Sequence, residues 1–96
     1  MITGFGDQTT QDLFDGVNSK EARRIPKSLW SVVARKLDMI NTAHELRDLS
    51  APPGNRLEAL KGNLKGFYGI RINDQYRIIF KWSAGNSYEV KVTDYH

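Results

Sequence analysis

The N-terminal half of the chain carries one short apolar run followed by two stretches with helical spacing. Residues 2–5 are mostly apolar and predict a short first strand. Asp7 is a preferred N-cap residue type, and Gly16 with Asn18 indicates the end of the helix that Asp7 begins. The apolar positions predicted for this first helix are Leu13, Phe14 and Val17.

A second amphipathic helix follows Pro26, a residue type suited to a first helical turn. Its apolar positions recur at spacings of four, four and three, which favours one buried stripe. They are Leu29, Val33, Leu37 and Ile40, and Val32 widens the stripe. We interpret this helix as packing on the core, without a functional role. Residues 52–55, Pro-Pro-Gly-Asn, then break the pattern.

After this break the apolar period changes from helical to two, which indicates strands. The predicted strands are Leu57–Lys61, Phe67–Ile72, Tyr76–Trp82 and Ser87–Asp94. Helices followed by strands predict an α+β domain, with the helices packed on one face of an antiparallel sheet. The 96 residues are predicted to form a single domain, residues 1–96.

The apolar pattern also predicts the register of the two central strands. A three-residue loop at 73–75 pairs Ile70 with Ile78 and keeps the apolar sets of both strands on one face. The same register sets Arg71 directly opposite Arg77. Two like charges in that position repel, so their placement favours a site that binds a phosphate. The alternative is that both arginines are ordinary outward-facing surface residues.

The last strand can be aligned in the same way. Pairing Trp82 with Tyr88 places Thr93 beside Arg77, with Tyr95 on the same face. In this alignment Tyr88 shares the core-facing parity of Val90 and Val92.

Charge adds to this picture through its distribution. The chain has 14 Lys and Arg against 11 Asp and Glu, a net charge of +3. Residues 1–55 hold seven of each sign, whereas residues 56–96 hold seven basic and four acidic groups, so 7 − 4 = +3 arises there. This excess favours a polyanionic partner for the predicted sheet. Solvated surface lysines and arginines would give the same excess, so charge alone leaves both interpretations open.

Several function classes find little support in the sequence. The chain has no cysteine, which excludes disulfides and thiolate metal sites. His44 and His96 are not spaced as a metal pair, and Glu58 with Asp94 is a thin carboxylate set for a two-metal nuclease. We therefore expect no metal and no cofactor. No stretch is apolar enough to span a membrane and no signal peptide is visible, so we expect a cytoplasmic protein without a membrane partner.

Three motifs in the C-terminal half resemble one known family. They are Arg56-Leu57-Glu58-Ala59-Leu60-Lys61-Gly62, Gly69-Ile70-Arg71-Ile72-Asn73-Asp74-Gln75-Tyr76-Arg77-Ile78, and the ending Asp94-Tyr95-His96. In order and spacing they resemble the HigB-type toxins, the plasmid-maintenance killer proteins of the RelE superfamily. The resemblance extends over the whole chain and is densest over residues 45–96.

The resemblance implies a RelE-like fold, with two N-terminal helices against a twisted antiparallel sheet. It also implies a type II toxin that enters the 70S ribosome and cleaves mRNA there without a metal. The implied partners are the ribosome, mRNA and a cognate HigA-like helix-turn-helix antitoxin. Operator DNA would be contacted only through the toxin–antitoxin complex.

The resemblance assigns site residues position by position. Arg77 matches the key phosphate-binding arginine, and Lys61 and Arg71 match further basic positions. Tyr95 and His96 match the C-terminal functional pair. The catalytic candidates are Arg77, Glu58, Lys61, Tyr95 and His96, and the RNA-binding candidates are Arg71, Arg77, Lys61, Lys65 and Arg56.

These residues suggest cleavage by the RNA's own 2′-hydroxyl, with Glu58 as base and His96 as acid, although the two roles could be exchanged. Glu58 departs from relatives that carry His at this position. It also has strand parity opposite to that of Lys61, so a bend is needed for both to serve one site. Two rival interpretations remain: a non-catalytic nucleic-acid- or ribosome-binding module that uses the same basic sheet face, and an antitoxin or repressor, for which no helix-turn-helix pattern is evident.

Overall fold

The computed structural model describes residues 1–94 and shows two helices over one antiparallel sheet. The helices are α1, Gln8–Asp15, and α2, Trp30–Thr42. The strands are β1, Glu58–Ala59; β2, Tyr68–Arg71; β3, Tyr76–Ser83; and β4, Asn86–Asp94. The sheet order is β1-β2-β3-β4, with each neighbouring pair antiparallel. The predicted α+β class is confirmed. Within the described range, no helix has the length and apolar character needed to cross a membrane.

Helix α1 begins and ends where the sequence predicts. The Asp7 side chain accepts a hydrogen bond from the backbone N–H of Thr10 at 2.9 Å, which satisfies a donor of the first turn. Gly16 ends the helix with a φ of 74°, a left-handed conformation that glycine adopts readily. Placing Val17 on the apolar stripe was wrong, because Val17 lies beyond this cap and is exposed.

Helix α2 supplies the largest part of the helical core. A 3₁₀ turn, Lys27–Leu29, separates Pro26 from the start of the helix at Trp30. Val33, Leu37 and Ile40 are fully buried, as their spacing predicts. They pack in one cluster with the apolar face of the sheet, which contributes Ile70, Ile78, Phe80 and Val90.

The N-terminal segment pairs with the sheet but does not form the predicted strand. Ile2 bridges Ser87 and Phe5 bridges Val90, both in parallel orientation. The N–H of Thr3 donates to the Ser87 carbonyl at 2.8 Å. These isolated bridges cover the free edge of β4, which an unprotected sheet would leave open to other chains.

The predicted central register is confirmed. Ile70 lies opposite Ile78, and Arg71 lies opposite Arg77. Thr93 of β4 lies on the other side of Arg77, as expected. Arg71, Arg77 and Thr93 therefore form one row across the sheet.

The pairing of Trp82 with Tyr88 was wrong, because β4 contains a bulge. Trp82 lies opposite Ser87 and Lys81 opposite Tyr88, and the register shifts between Ile79 and Lys81. The extra residue on β4 is accommodated near Glu89, whose φ of 51° is left-handed. Because one inserted residue inverts strand parity, Tyr88 turns away from the core that Val90 and Val92 enter.

We call the sheet face opposite the helices the outer face. Cross-strand pairing assigns to it three rows, namely Arg71–Arg77–Thr93, Glu58–Gly69–Ile79–Lys91 and Lys81–Tyr88. This face is less open than alternation predicts, because Leu60 and Ile79 are buried on it. Leu60 packs over Gly69, because a Cβ built on this glycine would lie 3.5 Å from the Leu60 methyl carbons, an ordinary van der Waals contact.

Candidate active site on the outer sheet face

An ion pair between Glu58 and Arg77 lies at the centre of the outer face. The guanidinium Nη1 of Arg77 is 3.1 Å from Oε1 of Glu58. The two side chains meet because β1 places Glu58 opposite Gly69, in the row adjacent to Arg77. The Arg77 side chain is 18% exposed and that of Glu58 is 46% exposed, so water reaches the carboxylate more easily than the cation. A carboxylate and a guanidinium thus meet at a partly exposed surface.

Arg71 stands opposite Arg77 and has its own acidic partner. Its guanidinium contacts the carboxylate of Asp74, three residues away in the β2–β3 loop. Glu58 and Asp74 offset part of the repulsion between the two arginines. The repulsion alone is therefore weaker support for a phosphate site than the sequence indicated. The Asp74 side chain is almost fully exposed, so its ion pair is weak and open to exchange with a phosphate.

A third cation, Lys36, was missed by the sequence analysis. Its residue is 7% exposed on α2, and its Nζ donates a hydrogen bond to the backbone carbonyl of Arg71. Within residues 1–94 no carboxylate forms an ion pair with it. The sequence does contain an indication that Lys36 is buried. It follows Val33 by three positions and so falls inside the apolar stripe of α2.

The surroundings of Lys36 disfavour its charged form. Burial lowers the pKa of the ammonium, and the positive charges of Arg35 and Arg71 lower this pKa further. A buried cation beside two others raises the positive potential at the end of β2.

The remaining basic candidates lie on loops around β1. Arg56 follows a 3₁₀ turn, Pro53–Asn55, and is exposed with a φ of 47°. Lys61 and Lys65 flank the 3₁₀ turn Gly62–Leu64 and are also exposed. None of the three makes an ion pair with residues 1–94. The shortened β1 is consistent with the bend that Glu58 and Lys61 require, but within residues 1–94 no ion pair joins these loop cations to Glu58.

The C-terminal candidates, Tyr95 and His96, lie outside the described residues. The last described residue, Asp94, is positioned by the β2–β3 loop, because its Oδ2 accepts a hydrogen bond from Nε2 of Gln75 at 3.0 Å. Its neighbour Thr93 lies opposite Arg77. Strand β4 therefore ends one residue beyond the row that contains both arginines.

A pocket elsewhere has different chemistry. It lies between the end of α2 and the β3–β4 turn, and its lining includes Asn41, His44 and Gly85. Arg77 and Gly85 are eight residues apart along the hairpin, a separation of roughly 25 Å in extended chain. Of the predicted site residues that the structure describes, none lines this pocket, so the outer face is the better candidate.

The arrangement on the outer face can bind a phosphate and accept a proton. Two guanidinium groups in one row match the geometry of phosphate oxygens. The Glu58 carboxylate beside them can accept a proton from a hydroxyl group once Arg77 turns to the phosphate. Within the described part of the chain, no three His, Asp or Glu side chains are grouped to hold a metal ion.

Comparisons with known proteins agree with the family resemblance of the sequence motifs. The family model described as "RelE-like toxin of type II toxin-antitoxin system HigB" matches residues 4–96. Toxin HigB-1 of Vibrio cholerae serotype O1 is 42% identical over 85 residues, 88% of this chain and 87% of that protein. Endoribonuclease HigB of Proteus vulgaris is 30% identical over 97 residues, the full length of both chains.

The fold also resembles a solved toxin structure. A chain of the YoeB-YefM complex from Staphylococcus aureus superposes with a TM-score of 0.62. The match covers 100% of this chain and 95% of that chain, at 22% sequence identity. At this identity the likeness shows a shared fold, and it agrees with the predicted RelE-like architecture.

Proposed function

The chain belongs to the HigB-like family of RelE-like toxins of type II toxin–antitoxin systems, and on that premise we propose that it is an endoribonuclease that cleaves mRNA on the ribosome. The observation that carries the proposal is the 3.1 Å pair of Glu58 and Arg77, with Arg71 in the same row. A base and two cations on one accessible face supply two of the three kinds of group that metal-independent RNA cleavage requires, and the third is an acid for the leaving oxygen.

The proposed reaction uses the RNA's own 2′-hydroxyl as nucleophile. Glu58 accepts the hydroxyl proton while the 2′-oxygen forms a bond to the adjacent phosphorus. Arg77 and Arg71 stabilise the negative charge that develops on the phosphoryl oxygens. The bond from phosphorus to the 5′-oxygen breaks, and that oxygen takes a proton from an acid, for which we propose His96. DNA lacks the 2′-hydroxyl and is not a substrate in this scheme.

The other candidates receive supporting roles in this proposal. Lys61, Lys65 and Arg56 contact the RNA backbone from the loops around β1, and their exposure is compatible with that role. Tyr95 stacks on or positions a base. Because the substrate is mRNA on the ribosome, the toxin acts in the cytoplasm.

We further propose that a cognate antitoxin neutralises the toxin. The family is defined by toxin–antitoxin systems, and the structural relative was solved as a complex titled YoeB-YefM. The sequence resemblance points to a HigA-like helix-turn-helix antitoxin, with operator DNA contacted only through the complex.

The proposal is tested by Arg77→Ala. Loss of the guanidinium removes transition-state stabilisation of about 2–4 kcal/mol, so we expect cleavage to slow by roughly 30- to 1,000-fold. The measurement is single-turnover cleavage of mRNA on programmed ribosomes, together with the melting temperature. Arg47→Ala is the matched control, because Arg47 is a highly exposed arginine that also pairs with a glutamate, Glu45.

Two results would contradict the proposal in different ways. Cleavage by Arg77→Ala at the wild-type rate would show that the active site is misassigned. Wild-type protein that binds ribosomes but never cuts mRNA would favour the non-catalytic binding module.

A further inference from the structure

The bulge in β4 moves one aromatic side chain onto the outer face. Simple alternation places Tyr88 towards the core, yet the shifted register sets it opposite Lys81, and the residue is 37% exposed. The neighbouring Glu89 holds a left-handed φ of 51°, which non-glycine residues seldom adopt. A strained residue that turns an aromatic ring into solvent is a reason to look for a ligand.

The surroundings of Tyr88 combine rings with positive charge. Lys81 Nζ lies 5.1 Å from the centre of the Phe67 ring and 2.9 Å from the carboxylate of Glu89. The hydrogen bond to the Glu89 carboxylate and the negative charge of that group raise the pKa of Lys81, so this lysine stays charged at neutral pH. Lys91 lies on the same face and is exposed. Two partly open rings beside lysines match the pattern by which proteins bind single-stranded nucleic acid.

We propose that Tyr88, Phe67 and Lys81 form a stacking subsite for an unpaired RNA base, separate from the catalytic row. Lys81 follows Arg77 by four positions in β3, a distance of roughly 13 Å along the strand. A single strand that places its scissile phosphate at Arg77 can therefore lay a nearby base on Tyr88. This inference rests on the proposed function, because the catalytic row fixes where the RNA lies.

The occupant is RNA rather than protein because of the charge on this face. The outer face carries four basic residues, Arg71, Arg77, Lys81 and Lys91. Three acidic residues stand against them, namely Glu58, Glu89 in the bulge and Asp74 in the β2–β3 loop. A polyanion complements this excess, and any base supplies a planar surface for the exposed ring. The base belongs either to mRNA or to ribosomal RNA, which share this chemistry.

The test uses three substitutions at one position. Tyr88→Phe keeps the ring, Tyr88→Leu keeps an apolar side chain without the ring, and Tyr88→Ala removes both. Val17→Ala is the control for an exposed apolar residue away from this face. For each protein, single-turnover cleavage on programmed ribosomes gives the half-saturating concentration and the maximal rate. Fluorescence anisotropy gives the affinity for a 2′-O-methyl oligonucleotide, which cannot be cut.

Loss of one stacked base predicts a rise of roughly 5- to 150-fold in half-saturating concentration for Tyr88→Ala and Tyr88→Leu. We expect Tyr88→Phe to retain binding, and the loss to fall on half-saturation rather than on the maximal rate. A parallel loss of affinity for the free oligonucleotide identifies mRNA as the source of the base. A loss seen on ribosomes alone identifies ribosomal RNA or ribosome-held mRNA.

Equal half-saturation and equal affinity for all the variants would overturn the subsite while leaving the proposed cleavage intact. Tyr88-dependent binding by a wild-type protein that cuts nothing would support the subsite and overturn the proposed function. A wild-type protein that neither binds RNA nor cuts it would overturn both.

Discussion

Three cations meet at the end of β2, and each is held in a different way. Arg77 pairs with Glu58, Arg71 pairs with exposed Asp74, and Lys36 donates to the Arg71 carbonyl. Burial of an ammonium against a neutral acceptor is unfavourable for folding. Lys36 is therefore poorly explained as a stabilising residue, but its charge and its hydrogen bond both act on the backbone that presents Arg71.

The sequence revealed part of this cluster and missed the rest. Arg71 and Arg77 could be predicted because period-two alternation and one loop length determine their pairing, whereas Glu58 was a candidate only through the family resemblance. The ion pair between Glu58 and Arg77 could not be predicted, because it depends on where β1 joins the sheet. Lys36 was missed because a lysine within an apolar stripe usually extends its stem and keeps its ammonium in water.

The buried state of Lys36 predicts a specific pH dependence of stability. Its pKa in the folded protein lies below the usual value of 10.5. At pH values between the folded-state pKa and 10.5, the unfolded chain holds one more proton than the folded chain. Raising the pH through this range therefore stabilises the fold. We expect the free energy of unfolding of wild type, relative to Lys36→Met, to increase as pH rises towards 10.5. Urea unfolding of both proteins at several pH values measures this difference.

Lys20→Met, at an exposed position, controls for the general effect of losing one lysine. A difference between wild type and Lys36→Met that stays flat, or that falls with rising pH, would show that Lys36 is not desolvated as described.

At the scale of elements, the strands were easier to predict than their irregularities. The alternation of β2 and β3 predicted the correct pairing of these two strands, from Tyr68–Phe80 to Arg71–Arg77. The pairing of Thr93 with Arg77 was also predicted correctly. The bulge was not predictable from alternation, because a period of two does not say which strand holds an extra residue. Its left-handed position is a glutamate rather than a glycine, so the usual sequence sign of such a bulge is absent.

The β3–β4 turn allows a test of element stability remote from the site. Ser83 pairs with Asn86, which leaves Ala84 and Gly85 as a two-residue loop. Both have positive φ, 51° and 80°, as a type I′ turn requires. Alanine is disfavoured there and asparagine is preferred, so we expect Ala84→Asn to stabilise the protein by roughly 1 kcal/mol. The melting temperature should rise by about 4–8 °C for a domain of this size.

Ala84→Val provides the opposite comparison, since a branched side chain tolerates this backbone poorly and should lower the melting temperature. If Ala84→Asn melts at or below the wild-type temperature, the turn does not have the backbone conformation described.

At the scale of the whole molecule, β4 receives the N-terminal segment and carries the chain to its C-terminal end. Residues 2–5 lie along β4 in parallel, and Phe5 packs on Phe14 of α1 with ring centres 5.5 Å apart. Packing by Phe5 and pairing by Ile2 thus join α1 to the sheet. The sequence indicated an extended segment here but not its parallel partner, because that pairing joins residues more than 80 positions apart. The C-terminal end of β4 lies beside the arginine row, because Thr93 is paired with Arg77.

Removal of the last two residues tests the proposed chemistry in the whole toxin. Proton transfer by a positioned side chain contributes roughly 10²–10⁴-fold to rate, so we expect a loss of that order when His96 is removed. The proteins to compare are wild type, His96→Ala and a chain ending at Asp94. Single-turnover cleavage on ribosomes gives the rate, and thermal unfolding shows whether each variant folds. If His96→Ala and the shortened chain both cut at the wild-type rate, His96 is not the acid. Among the proposed catalytic groups that this experiment leaves in place, Glu58, Arg71 and Arg77 would then carry the reaction, with Lys61 as a further candidate.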